Sequence, residues 1–81
     1  MRMPRDISGS ELTKLLNKFG YVSIRQTGSH IRLTTQQNGE HSITIPYHNP
    51  LRVGTLSAIL ADVANHLGFT KDELMRKLFE E

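Results

Sequence analysis

Between positions 22 and 45 the apolar residues fall on every second position in three short runs: Val22 and Ile24, Ile31 and Leu33, Ile43 and Ile45. A spacing of two puts side chains of like character on one side of an extended chain, so the runs predict three strands. Thr27-Gly28 and Gln37-Asn38-Gly39 separate them. Connections that short allow only antiparallel hairpins, because a parallel pair needs a much longer crossover. The expected sheet is a three-stranded meander with too few apolar positions to bury two faces. Its partners must therefore cover one face and leave the other in water.

The flanking segments keep a different period. Leu12, Leu15, Leu16 and Phe19 repeat at i, i+3, i+4 and i+7, which is one stripe of a helix running from Ser8 to Phe19. Ser8 and Glu11 have capping-box spacing, and Gly20 supplies the stop. After Pro46 and a loop containing Pro50, Thr55 is read as the cap of a second helix from Leu56 to about His66. Leu56, Ile59, Leu60, Val63 and Leu67 form its apolar side and Gly68 closes it. Thr70 and Glu73 repeat the capping-box spacing before Leu74, Leu78 and Phe79, so a short terminal helix is expected. The fold class is α+β: an αβββα order with helices on one face of an antiparallel sheet, plus a short C-terminal helix. We expect one domain over residues 1–81, with a core of about 8–67 and a helical extension over 69–81.

The covered face also fixes an expected register. Pairing Val22 with Leu33 and Ile24 with Ile31 places all four on the helix side and leaves Thr27-Gly28 as a two-residue turn. Pairing Ile31 with Ile45 and Leu33 with Ile43 does the same for the second hairpin, with a three-residue loop carrying glycine where a left-handed residue is needed. On the open face, Arg25 then lies across from His30, Ser23 from Arg32, Arg32 from Thr44, and His30 from Pro46. Two arginines and a histidine share that face.

With 81 residues the chain is too short for a two-lobed enzyme, and with no cysteine it has neither disulfides nor thiolate metal sites. No run approaches the ~20 apolar residues that span a bilayer, and the first residues lack the apolar stretch of a signal peptide. A soluble, cytoplasmic protein with no membrane partner is expected. Residues 1–60 carry seven Lys/Arg against three acids, and residues 61–81 carry three against five. The first part is thus +4 and the tail −2, a distribution compatible with a polyanionic partner such as nucleic acid.

His30, His41, His48 and His66 have no i, i+4 partner and no clustered carboxylates, so no metal site and no small-molecule cofactor is expected. Ser29 precedes His30 on what would be the other side of a strand, a poor geometry for a serine nucleophile. What remains is His30 as a proton-transfer group flanked by Arg25 and Arg32. Imidazole exchanges protons near neutral pH, and guanidinium groups hold phosphates, so the set suits cleavage of RNA by its own 2′-hydroxyl. The same residues also suit a merely solvated sheet face, and the residues alone leave both readings open. Arg52-Val53-Gly54-Thr55 brings a cation and backbone N–H groups to a helix start, where phosphate is favoured. His48 follows Pro46 and is within reach of the same end of the sheet. Tyr47 is the one aromatic near the face able to stack on a base; His41 and His66 suggest no role.

Gly20-Tyr21, Arg25-Gln26-Thr27-Gly28-Ser29-His30, Ile43-Thr44-Ile45-Pro46-Tyr47-His48 and Gly54-Thr55-Leu56 with Ile59-Leu60, taken in this order, closely resemble the HicA (YcfA-like) toxin family. The resemblance runs from about Ser8 to Leu67. It implies a fold similar to double-stranded-RNA-binding domains, mRNA cleavage as the toxin of a type II toxin-antitoxin system, and neutralisation by a HicB-like antitoxin. It also implies that His30 is the catalytic residue. Beside it, the open face and the start of the second helix lead us to expect RNA contact from Arg25, Ser29, Arg32, His48, Arg52, Gly54 and Thr55. A second aromatic or histidine often follows the catalytic position in that family, whereas this chain has Ile31, which the expected register turns toward the core.

Overall fold

The computed structural model describes residue 4 and residues 6–79. Helix α1 spans Gly9–Leu16 and runs into a 3₁₀ turn over Asn17–Phe19. Strands β1 (Val22–Thr27), β2 (His30–Thr35) and β3 (His41–Pro46) follow, then helices α2 (Val53–Leu67) and α3 (Lys71–Phe79). The strands form one antiparallel sheet in the order β1-β2-β3. The fold is therefore α+β in the expected αβββα order with a terminal helix.

Both capping boxes form. The Ser8 hydroxyl accepts the Glu11 N–H at 3.0 Å, and the Ser8 N–H donates to the Glu11 carboxylate at 2.9 Å. Those bonds, the backbone one first, hold the Glu11 carboxyl below its ordinary range. Thr70 and Glu73 exchange the same pair of bonds at 2.7 and 3.1 Å, which lowers Glu73 likewise. Helix α1 is pinned to the end of β3: the Gly9 N–H donates to the His48 carbonyl at 2.9 Å, and a Cβ on Gly9 would stand 2.2 Å from the Pro46 oxygen. Only glycine fits there.

Helix α2 begins earlier than expected. Arg52, in extended conformation and without a side-chain cap, precedes Val53, so Thr55 lies inside the first turn and caps nothing. The cause is tertiary. Leu51 is buried and its N–H donates to the Ile7 carbonyl at 2.8 Å, while the Arg52 carbonyl accepts from Leu56 N–H at 2.9 Å. The anchored Leu51 sets the chain's direction, and the helix closes on backbone alone. Leu74, Met75 and Leu78 of α3 join Leu12, Leu16, Leu56, Leu60 and Val63 in the same core cluster.

The β2–β3 register matches expectation, with Ile31↔Ile45, Leu33↔Ile43, Arg32↔Thr44 and His30↔Pro46. Pairing extends to Thr35↔His41, so residues 36–40 form a longer connection than the three-residue loop expected. Asn38 and Gly39 both take left-handed φ there, at 59° and 96°.

The β1–β2 register does not match. Val22 pairs with Thr34 and Ser23 with Leu33, then the ladder shifts and Arg25 pairs with Arg32, Gln26 with Ile31, and Thr27 with His30. Ile24 is the surplus residue of a β-bulge. Relative to expectation the strand has slipped by one residue before the bulge and by two after it. The odd slip turns Val22 to the open face, and the bulge leaves Ile24 exposed as well; they are 55% and 59% exposed instead of core. The even slip keeps Arg25 on the open face, although its partner is Arg32 and not His30. Tyr21, just before the strand, is fully buried in their stead, because a phenol ring offers more apolar area than valine and its hydroxyl finds a partner.

That partner is His41 Nδ1, 2.7 Å away, while His41 Nε2 stands 3.3 Å from the Asp62 carboxylate. A carboxylate only accepts, so Nε2 carries the proton and the tyrosine hydroxyl donates to Nδ1. The His41 ring stacks on His66 at 4.3 Å, and the His66 Nε2–H donates to the carbonyls of Gln37 and Gly39 at 2.9 and 3.0 Å. His41 and His66, for which sequence suggested no role, thus fasten the β2–β3 connection to α2.

Burial, aided by the negative Asp62, pushes the Tyr21 phenol up to about 12 from 10.0. Because the folded value is the higher, the neutral phenol's contribution to stability is whole below pH ~10, where the unfolded chain begins to ionise, and is lost as pH rises toward ~12. Urea midpoints should fall over that interval by the equivalent of about 2–3 kcal/mol more in the wild type than in Tyr21→Phe. Parallel pH profiles for the two proteins would contradict this.

Candidate functional site

Strand β2 turns Ile31, Leu33 and Thr35 into the core and presents His30 and Arg32 on the face that the helices leave uncovered. Beyond the bulge, β1 sets Arg25 beside Arg32 and Thr27 beside His30, and β3 sets Thr44 and Pro46 on their other side. Ile24, Arg25, Thr27, His30, Arg32 and Thr44 line a cleft of about 520 Å³. The sheet alone builds this cleft, so its geometry depends on strand register more than on helix packing.

Its electrostatics are one-sided. Arg25 and Arg32 are direct cross-strand neighbours, a like-charge pairing that costs stability. Arg32 Nη1 donates to the Thr44 hydroxyl at 2.8 Å, which fixes the guanidinium plane. Among the described residues no carboxylate lies within ion-pair distance of either arginine, the one close cation-type contact to a carboxylate being the His41–Asp62 hydrogen bond. An anion placed between the two arginines would relieve the repulsion and take two charge-assisted hydrogen-bond donors.

Ser29 sits in the turn with Gly28, whose φ of 52° lets the hairpin close. Because Ser29 is in the turn, strand alternation does not apply to it. Its hydroxyl stands 3.4 Å from His30 Nδ1, not on the opposite side as the sequence suggested. At that length the hydrogen bond is weak, too weak for a serine nucleophile's activation but enough to bias the ring. Nε2 is then the nitrogen left to meet a substrate.

The structure gathers Arg25, Ser29, His30 and Arg32. It leaves the other expected residues elsewhere: His48 lines a separate pocket with Ser8, Ser10, Tyr47 and Asn49, and Arg52, Gly54 and Thr55 form the start of α2 without lining the cleft. The sequence missed Ile24 and Thr27 as cleft residues. A bulge has no signature in alternation, and Thr27 was read as turn although it pairs with His30. A larger hollow of about 590 Å³ lies between α1 and α3, lined by Pro4, Asp6, Ile7, Glu11, Lys14, Leu15 and Phe79. It holds no histidine, and Glu11 there is committed to its cap. Among the described residues no three His, Cys, Asp or Glu side chains gather as metal ligands, and no described helix is long and apolar enough to cross a membrane.

The fold and the cleft define an α+β protein that presents, on an open sheet face, an imidazole beside two guanidinium groups with no carboxylate partner among the described residues. Residues 9–64, which include α1, the whole sheet and most of α2, match the sequence model of the family described as HicA toxin of bacterial toxin-antitoxin. The chain belongs to that family. Comparison with curated proteins and with solved structures gives no significant match.

Proposed function

We propose that this toxin-family chain is a metal-independent endoribonuclease that cleaves mRNA in the cytoplasm and is held in check by a HicB-like antitoxin. The observation that carries the reading is the cleft itself, where His30 stands beside Arg25 and Arg32 on an open face. The arginines hold a backbone phosphate. His30 takes the proton of the adjacent ribose 2′-hydroxyl, the 2′-oxygen bonds to phosphorus, and the bond to the 5′-oxygen breaks. That oxygen leaves with a proton returned by His30 or by water, giving a 2′,3′-cyclic phosphate and a 5′-hydroxyl. Ser29 biases the His30 ring, while His48, Arg52, Gly54 and Thr55 extend the RNA contact beyond the cleft. The test is incubation of defined RNAs with the protein in EDTA: the expected products carry those two ends. Cleavage abolished by chelator and restored by magnesium would reject the mechanism.

One observation favours a second reading, that of a noncatalytic RNA-binding module: among the described residues His30 is the one proton-transfer group lining the cleft. Such a module would retain RNA and leave it intact.

The same cations suit an acidic antitoxin surface, with charge complementarity speeding the encounter and packing supplying the affinity. Joint replacement of Arg25 and Arg32 by Glu should weaken both RNA and antitoxin binding. If both arginines contact phosphate, the slope of log affinity against log salt for single-stranded RNA should fall by about 1.4, roughly 0.7 per lost contact. Hydrogen exchange that placed the antitoxin only on α3, with the sheet face still open, would rule out inhibition by occlusion.

A further inference from the structure

Immediately past the rung where His30 faces Pro46, the Tyr47 N–H donates to the Ser29 carbonyl at 2.6 Å. This bond prolongs the β2–β3 ladder by one residue and ties Tyr47 to the turn residue that immediately precedes His30. The separation of its backbone from that of His30 is roughly 6 Å, one residue along and one strand across. A large aromatic side chain in such a place usually closes a core, yet Tyr47 is 51% exposed, whereas Tyr21, the chain's other tyrosine, is wholly buried. Tyr47 also forms a wall of a pocket of about 140 Å³ with Ser8, Ser10, His48 and Asn49. That is room for one heterocyclic ring and not for a whole nucleotide. Gly9 keeps the pocket in place, since its contact with the Pro46 oxygen seats the start of α1 against this loop.

We infer that Tyr47 and this pocket form a nucleobase subsite, receiving an unpaired base of the nucleotide next to the scissile phosphate. The inference rests on the proposed RNA-cleaving site and extends it. The phenol ring supplies a stacking face that accepts any base, while the Ser10 hydroxyl, the Asn49 amide and the His48 imidazole stand around it with donors and acceptors for a base edge. A base seated here draws its sugar-phosphate backbone across the Ser29–Tyr47 bond toward His30. The subsite thereby positions the phosphate and requires the RNA to be single-stranded at that point. It also gives His48 a place in RNA contact although it does not reach the cleft.

The chain has two tyrosines and no tryptophan, so Tyr47 is its one exposed intrinsic fluorophore. Titration with a fully 2′-O-methylated RNA oligonucleotide, which cannot be cleaved, should quench tyrosine emission in the wild type and not in Tyr47→Phe, which keeps the stacking face and hence the affinity. Tyr47→Ala should bind about 5- to 100-fold more weakly with an unchanged circular dichroism spectrum. Its cleavage of natural RNA should show the loss chiefly in KM. One abasic position in the oligonucleotide should weaken wild-type binding by a similar factor and cause no further loss in Tyr47→Ala. Wild-type affinity in Tyr47→Ala, or losses that add fully between protein and abasic RNA, would overturn the subsite. If the wild type cleaved no RNA while the quenching and the non-additive pair of losses remained, the nuclease reading would fail and the base subsite would stand.

Discussion

The His30→Ala protein should lose about 10²- to 10⁴-fold in RNA cleavage rate, the range spanned by a positioned proton-transfer group. It should remain as stable as the wild type to within about 0.5 kcal/mol. Both halves of the expectation come from position. The imidazole lies exposed on the uncovered face opposite Pro46, and among the described residues its one side-chain hydrogen bond is the 3.4 Å approach of Ser29. Arg25 and Arg32 stay in place, so the variant should still bind RNA. The loss should therefore appear in kcat while KM changes little. Single-turnover rates on a labelled oligonucleotide, with anisotropy on its 2′-O-methyl counterpart, separate the two quantities. A variant that cut RNA at the wild-type rate would remove His30 from the chemistry. One that neither cut nor bound would show the residue to be a ligand contact instead of a proton carrier.

The second large effect concerns α3. A chain ending at residue 68 should fail to fold. Leu74, Met75 and Leu78 are 0%, 3% and 5% exposed within the cluster that also holds Leu16 and Leu60, and full burial of such side chains contributes roughly 1.5–3 kcal/mol each. Their joint removal, of order 5–9 kcal/mol, rivals the roughly 4–12 kcal/mol expected for the total stability of a chain this size. The exposed core would lose the Phe19–Phe69 edge contact at 5.7 Å as well. A milder version, Leu74→Ala, should cost about 2–5 kcal/mol, read as a lowered urea midpoint with the sheet intact. A truncated chain with dispersed amide resonances and a cooperative melt would show that α3 is an appendage.

Sequence made the α+β order, the sheet and the β2–β3 register legible, and with them His30, Arg32, Thr44 and Pro46 as neighbours. Alternation there is regular and one face is strongly apolar, so a slip would have buried charge. The β1 register was not legible, because the turn falls on Gly28-Ser29 and not on Thr27-Gly28, and because the rule assumes one residue per rung and Ile24 breaks it. Arg25 nevertheless reached the correct face, since its displacement was even. Thr55 was misread as a cap because the anchoring of Leu51 by Ile7 is a long-range contact that no local pattern records. The roles of His41 and His66 depend on Tyr21, Asp62 and the loop carbonyls meeting in space, and the pocket at Tyr47 depends on α1 docking beside β3. Such sites arise from packing, and composition and spacing are blind to them.

The bulge in β1 also bears on how this strand can change length through evolution. Upstream and downstream of Ile24 the ladder is already out of step by one, so loss of that single residue would join Ser23↔Leu33 directly to Arg25↔Arg32 as consecutive rungs. Loss of any other strand residue would invert the faces of one segment. Ile24 is therefore the position at which an ancestral insertion is most easily tolerated or undone. Descendants that gained or lost it would keep the same arginine opposite the same arginine, and the change in the cleft would be confined to the wall that Ile24 supplies.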